Sequence, residues 1–277
     1  MSGAGAKGRL LIIGGSEDRE DDMAILERFV QLSGGTRSKI VVITAASKVG
    51  DKIWDQYDAA FGTLGAVNRS AVHVESRQAA NDAALAQQVA DADGVFLSGG
   101  DQKRLLALAG GTALDAAMHG ALQRGACVAG TSAGASAMSA HMLAYGHTDL
   151  QPEKGAVGLG AGFGFIQNVV VDQHFSQRHR LPRLLTVVAQ NPFLMGVGID
   201  EDTALLIHAD GAIEILGNGT VTVLDGRHMV SNISEIGNRR CPEMLDVRLH
   251  LLPSGARFAP SDDGPLTHFL RAVTPIA

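Results

Sequence analysis

The sequence predicts an α/β protein, a three-layer sandwich built on a mostly parallel sheet, and three observations carry that expectation. Short apolar runs rich in Val, Ile and Leu recur, each followed by a Gly or Ser turn and then a segment rich in Ala, Leu, Gln and charge, which is the rhythm of βαβ units. The clearest runs are apolar throughout rather than alternating, as suits strands covered on both faces. The 277 residues, 45% hydrophobic, 4% aromatic and with 34 Gly, have the composition of a close-packed globular chain rather than a disordered or fibrous one.

Taken in order, strands are expected at 10–13, 40–44, 72–74, 94–98, 127–129, 169–171 and 195–199. Helices are expected between them, at about 18–31, 52–64, 81–91, 103–124, 133–142 and 182–190. Beyond Glu201 the pattern turns to hairpins, with runs at 204–208, 213–216 and 221–224 separated by Gly-containing turns such as Asn218-Gly219. One more alternating run follows at 245–251, and no low-complexity linker or internal repeat interrupts the chain. A single domain over 1–277, with a β-rich extension from about 201, is therefore expected.

The formal net charge is -6, and no run of Lys and Arg offers the phosphate-neutralising patch that a nucleic acid partner requires. Cys127 and Cys241 cannot build a disulfide framework, and a reducing cytoplasm is the expected location. The apolar stretch at 10–13 is too short for a signal-peptide core or a membrane span, so no membrane partner is expected.

Chemistry concentrates in a few places. Residues 127–135 read Cys-Val-Ala-Gly-Thr-Ser-Ala-Gly-Ala, an apolar strand running through GxSxG into a small-residue helix. A serine at such a turn is pushed out of the sheet, and glycines two residues to either side give the turn room. The helix start supplies free N–H groups for a developing oxyanion. Ser132 is thus a candidate nucleophile, and a hydroxyl needs a histidine base and usually an acid to orient it. Most of the ten histidines read as ordinary half-exposed residues, among them His141, His147, His208, His228, His250 and His268. His174 differs, because it follows the buried-looking run 169–171, and loops beyond the carboxyl ends of strands are where α/β sites form. For the acid, Asp200-Glu201-Asp202 closes the run 195–199, and spacing does not choose among the three carboxylates. The order Ser, His, acid departs from the α/β-hydrolase order of Ser, acid, His.

A second Gly-rich loop, Ser98-Gly99-Gly100-Asp101-Gln102, is neither a dinucleotide fingerprint nor a P-loop, and it can present backbone N–H groups or polar substrate contacts. Gly14-Gly15-Ser16 with the acidic run 17–22 reads as a turn and a helix start, where acids favour the dipole. HExxH, CxxC and EF-hand spacings are absent, so neither a metal nor another cofactor is expected. Just past His174 come Arg178, Arg180 and Arg183, with Pro182 marking a first helical turn. Cations there oppose the helix dipole, whereas recognition of a carboxylate-bearing substrate would account for them.

Together, GTSAGA at 130–135, SGGDQ at 98–102, DQHFSQRHRLPRL at 172–184 and LDVRLHLLPSGARF at 245–258 closely resemble the cyanophycinase family of serine peptidases, over most of the chain. The block HFxxRxRxxRL is far more specific than GxSxG. The resemblance implies a class I glutamine amidotransferase-like, flavodoxin-like fold, shared with aspartyl dipeptidases. It implies Ser132 as nucleophile, His174 as base and Glu201 as acid. Substrate contacts fall on Asp172, Gln173, Arg178, Arg180, Arg183 and Gln102. The implied substrate is cyanophycin, a polyaspartate with arginine on each β-carboxyl, the product β-aspartyl-arginine, and the assembly a homodimer. On this expectation the N–H groups of Gly100 and Ala133 hold the oxyanion. The alternatives are an α-aspartyl dipeptidase and a non-catalytic binding domain of the same fold; an amidotransferase would carry Cys at the elbow, where this chain has Ser132.

Overall fold

The computed structural model describes residues 8–146, 150–261 and 263–273. In chain order the elements are β1 (Arg9–Ile13), α1 (Ala24–Leu32), β2 (Lys39–Ile43), α2 (Gly50–Thr63), β3 (Asn68–Val72), α3 (Arg77–Ala80), α4 (Ala83–Ala90), β4 (Gly94–Leu97), α5 (Gln102–Ala109), α6 (Ala113–Gln123) and β5 (Cys127–Thr131). Then follow α7 (Ala133–Ala137), β6 (His141–Gly146), β7 (Val157–Ala161), β8 (Val169–Asp172), α8 (Leu181–Gln190), β9 (Met195–Ile199), β10 (Thr203–Ile207) and β11 (Ile213–Gly217). The last are β12 (Thr220–Asp225), β13 (Val230–Ser231), β14 (Met244–Leu245), β15 (Arg248–Pro253), β16 (Arg257–Phe258) and α9 (Thr267–Val273).

The main sheet runs β16-β11-β10-β1-β5-β4-β2-β3, parallel from β1 to β3 and antiparallel on the other side. Its central strands β1, β2, β4, β5 and β10 are largely apolar on both sides because both faces are covered. Leu11, Ile13, Val42, Phe96 and Ala129 pack beneath Leu26 and Phe29 of α1 and Phe61 of α2. Leu10, Ile12, Val41, Val95 and Val128 face the opposite cluster, which includes Leu105, Leu114 and Met118 from α5 and α6. An aromatic group of Phe29, Tyr57, Phe61 and Phe96 sits on the first face: Phe96 lies 5.4 Å from Phe29 and 4.8 Å from Tyr57, ring centre to ring centre. Such pairs add about 0.5–1.5 kcal/mol beyond burial, and here they fix the Tyr57 ring beneath the sheet.

Four expectations are corrected, the first being the strand at 72–74, which lies at Asn68–Val72 as the mostly polar edge strand β3. The run 103–124 is two helices that turn by 97° at Gly110-Gly111-Thr112, where Gly111 takes φ +67° and Arg77 Nη1 donates to the carbonyls of Ala107 and Gly110. The run 133–142 is helical only to Ala137, and its end becomes β6, paired with β7 in a hairpin that alternation does not announce. The acidic run 17–22 precedes α1 instead of opening it, since α1 begins at Ala24 and Asp18 closes a turn by accepting from the N–H groups of Glu20, Asp21 and Met23.

The runs at 169–171 and 195–199 leave the main sheet and build a second one, ordered β15-β12-β9-β8. The turn after β9 carries the chain back to β10, which pairs with β1 in the middle of the main sheet. Strands after residue 201 are thus divided between both sheets. Among the described residues, no single helix is long and apolar enough to cross a membrane.

Candidate active site

Parallel pairing sets Ile13 of β1 beside Thr131 of β5, so the carboxyl ends of the two central strands open onto one edge. Ser132 stands there between β5 and α7 with φ 52° and ψ -112°. A backbone in so sparse a region costs roughly 1–3 kcal/mol and persists only where its surroundings over-determine it. The motif glycines show how: a Cβ on Gly130 would stand 2.7 Å from the backbone of Gly134, and one on Gly134 would strike the Leu97 carbonyl. The Ser132 N–H is tied to Ile13 O at 3.1 Å.

His174 arrives from the other sheet, two residues beyond β8. Its φ of 47° turns the ring back toward β5, and its N–H donates to Gly14 O at 2.7 Å. Nε2 is 2.9 Å from Ser132 Oγ, and Nδ1 is 2.6 Å from Glu201 Oε1. A carboxylate only accepts, so Glu201 keeps the proton on Nδ1 and leaves Nε2 free to take one from Ser132. Burial pushes the His174 pKa below 6.5, opposed by the Glu201 hydrogen bond and aided by the Arg178 and Arg180 charges. The ring is therefore neutral, as a base must be, at pH 7.

The three adjacent carboxylates have separate surroundings. Glu201 faces His174. Asp200 accepts from Ser176 N and from the N–H and hydroxyl of Thr220, and although burial opposes, these hydrogen bonds hold its carboxyl below its ordinary range. Asp202 accepts from Asp18 N and Asn218 Nδ2. Both neighbours fasten loops.

Gly99 lies against the nucleophile, since a Cβ there would stand 3.4 Å from Ser132 Cβ, and Gly100 takes φ +144°. The N–H of Ala133 belongs to the first turn of α7, where intrahelical partners are missing. Asp101 is occupied as the cap of α5, accepting from Lys103 and Arg104 N–H. Gln102 donates its amide to Leu143 O, which leaves its carbonyl oxygen for other contacts.

The residues past β8 divide into a buried set and an exposed one. Asp172 is 0% exposed; Arg183 grips both its oxygens, at 2.7 and 2.5 Å, and Arg180 reaches it at 3.3 Å. Arg183 spends its remaining terminal nitrogen on Gly146 O. Arg180 also donates to the backbone and side-chain oxygens of Gln173. In this geometry Asp172 and Gln173 carry the arginines, while Arg178 is exposed beside His174. Elsewhere, the Cys127 thiol is buried and pushed up to about 12, which makes it inert as a nucleophile. His147 lies outside the described residues.

Two contributors went unread in the sequence. Gly15 (φ +98°) makes room for His174, because any Cβ there would collide with the imidazole. Glu17 is 3% exposed and turns inward, accepting from Tyr57 Oη and Thr131 Oγ1, each at 2.5 Å. Burial, then the Glu17 charge, push the Tyr57 phenol well above 10, so it stays a donor. The glycine pair after an apolar strand was the visible signal. Nothing in the spacing says that one acid of the five in the run 17–22 points into the core.

The chain matches the model of peptidase family S51 over residues 10–215. It is 36% identical over 251 residues to the cyanophycinase of Geminocystis herdmanii, covering 90% of this chain and 92% of that one. It is 34% identical over 254 residues to the cyanophycinase of Trichormus variabilis, covering 91% and 85%. Among solved structures it superposes on a peptidase from an acI-B1 actinobacterium with TM-score 0.69 at 22% identity, over 92% of this chain and 98% of that one. A putative peptidase E protein from Listeria monocytogenes follows at TM-score 0.53 and 17% identity, over 76% and 99%.

Proposed function

The chain belongs to peptidase family S51 and is a serine peptidase, and on that premise we propose that it degrades cyanophycin to β-aspartyl-arginine by a Ser132–His174–Glu201 triad. The observation that carries this reading is the continuous line of contacts from Ser132 Oγ to His174 Nε2 at 2.9 Å and from His174 Nδ1 to Glu201 at 2.6 Å.

Ser132 Oγ attacks a backbone carbonyl carbon as its proton passes to His174 Nε2. The N–H groups of Gly100 and Ala133 receive the negative charge on the carbonyl oxygen. As the tetrahedral species collapses, the imidazolium returns the proton to the leaving amine. Water, deprotonated by the same ring, then releases the acyl group from Ser132. Glu201 stabilises the imidazolium throughout. No step requires a cofactor. Arg178, exposed beside the base, is suited to a substrate carboxylate, and the carbonyl of Gln102 to a donor.

Incubation with purified cyanophycin and mass spectrometry of the products tests the reading. β-Aspartyl-arginine is the expected product; cleavage of Asp-Xaa dipeptides with cyanophycin left intact would replace the substrate. Ser132→Ala activity within about tenfold of the parent would remove the nucleophile, whose loss costs about a million-fold in a serine protease. The homodimer and the cytoplasmic location that the resemblance and composition imply belong to the same proposal, and light scattering and cell fractionation test them.

A further inference from the structure

The segment from Gly14 to Asp18 touches every chain segment that carries the triad. Gly14 O accepts from His174 N at 2.7 Å, and Gly15 O accepts from Asp202 N at 2.9 Å. Asp18 N donates to Asp202 Oδ1 at 3.0 Å, so the residue after Glu201 is held at two points. Gly15 abuts the His174 ring. The remaining link is Glu17, whose Oε2 accepts from the hydroxyl of Thr131, the residue before Ser132.

Glu17 is poorly explained as a stabilising element. A carboxylate removed from water needs partners merely to break even, and an apolar side chain of similar volume often serves stability as well. What two hydroxyl donors at 2.5 Å provide instead is a directional tie. One end is anchored on Tyr57, whose ring is packed against Phe61 and Phe96 and lies 5.4 Å beneath the Arg19 guanidinium. The other end holds the last residue of β5, immediately before a serine at φ 52° and ψ -112°. A conformation that sparse relaxes when a neighbouring restraint is cut.

We infer that Glu17 is a positioning residue for the nucleophile: through the Thr131 hydroxyl it fixes the end of β5 so that Ser132 Oγ stays within reach of His174. The inference rests on Ser132 being the nucleophile, and it assigns Glu17 no contact with substrate.

The test compares Thr131→Val, which keeps the shape and removes the donor, with Thr131→Ser, which keeps the donor, and with Glu17→Gln. Titration with a serine-directed phosphonate counts competent sites, so kcat is expressed per titrated serine and partial unfolding does not enter. Thr131→Val and Glu17→Gln are expected to lose about tenfold or more in kcat and in phosphonylation rate, with KM within about twofold, because the lost geometry matters only in the transition state. Thr131→Ser is expected to restore both rates. If kcat per titrated serine stays within about twofold of the parent in Thr131→Val, or if Thr131→Ser is as impaired as Thr131→Val, Glu17 is a fold element only. Ser132→Ala, run alongside, separates this result from failure of the nucleophile assignment.

Discussion

His174 closes against Gly15: residue 15 carries no Cβ, and the imidazole fills the space where one would stand. The contact joins the turn after β1 in one sheet to the loop after β8 in the other, and it makes the base's position depend on a glycine 159 residues earlier in the chain. Gly15→Ala is therefore expected to displace the ring. A shift near 1 Å costs about 100-fold in rate. The φ of +98° adds strain to any side chain placed there, so Tm should fall as well. Steady-state kinetics and thermal denaturation of the variant check both; kcat within about threefold of the parent would mean that the ring has room to spare.

The three carboxylates after β9 should separate by readout. Glu201→Gln is expected to cut kcat by about 10⁴, the size of effect seen when an orienting acid loses its charge, with little change in stability. Asp200→Asn should do the reverse, since its oxygens hold Ser176 and Thr220 and do not face the ring. Greater loss of activity in Asp200→Asn than in Glu201→Gln would transfer the orienting role.

The rate should also follow the His174 titration. Protonated Nε2 cannot accept from Ser132, so kcat/KM falls as pH drops through the pKa of the free enzyme's base. Burial places that value below 6.5, and the Arg178 charge lowers it further, so the acid limb should lie below pH 6.5. Arg178→Gln removes a cation that disfavours the imidazolium and should move the limb upward, whereas Arg178→Lys should leave it in place. A downward move in Arg178→Gln would contradict this account of the site's electrostatics.

The arginines are not equivalent. Arg183→Lys loses the planar fork on a fully buried carboxylate, and each charge-assisted bond lost costs about 1.5–3 kcal/mol, so its main effect should be a lower Tm. Arg178→Lys breaks no internal hydrogen bond of its side chain, and its effect should fall on kcat/KM for cyanophycin, with phosphonate reactivity unchanged. Both variants should be measured by calorimetry and with both reagents. Equal losses on polymer and phosphonate for Arg178→Lys would remove it from substrate recognition.

Much of this was legible along the chain because the signals are local. The central strands β1, β2, β4, β5 and β10 of the main sheet are largely apolar runs, which is what burial on both faces requires, whereas the edge strand β3, Asn-Arg-Ser-Ala-Val, carries no such signal. The GxSxG elbow announces itself through the two glycines that its turn needs, and His174 through its place after a buried run. The break at Gly110-Gly111 was visible as well, but the helical pattern on both sides of it read straight through.

What the linear pattern could not supply is which face a polar group takes when its partner is remote. Thr131 lies 114 residues from Glu17, and the three carboxylates after β9 are equivalent in spacing until β9 and β10 enter different sheets and turn Glu201 alone toward His174. The runs 169–171 and 195–199 carry no mark of belonging to a second sheet, because a strand buried on both faces looks the same whichever neighbours cover it. The sequence by itself determined the layered α/β core through periodicity, and it marked Ser132 and His174 as candidates through the GxSxG motif and the place after a buried run. Only the tertiary structure decided that Arg183 faces inward to Asp172 while Arg178 faces out, and that one acid of the run 17–22 is buried, because a buried charge is tolerated only where distant hydrogen-bonding partners converge on it.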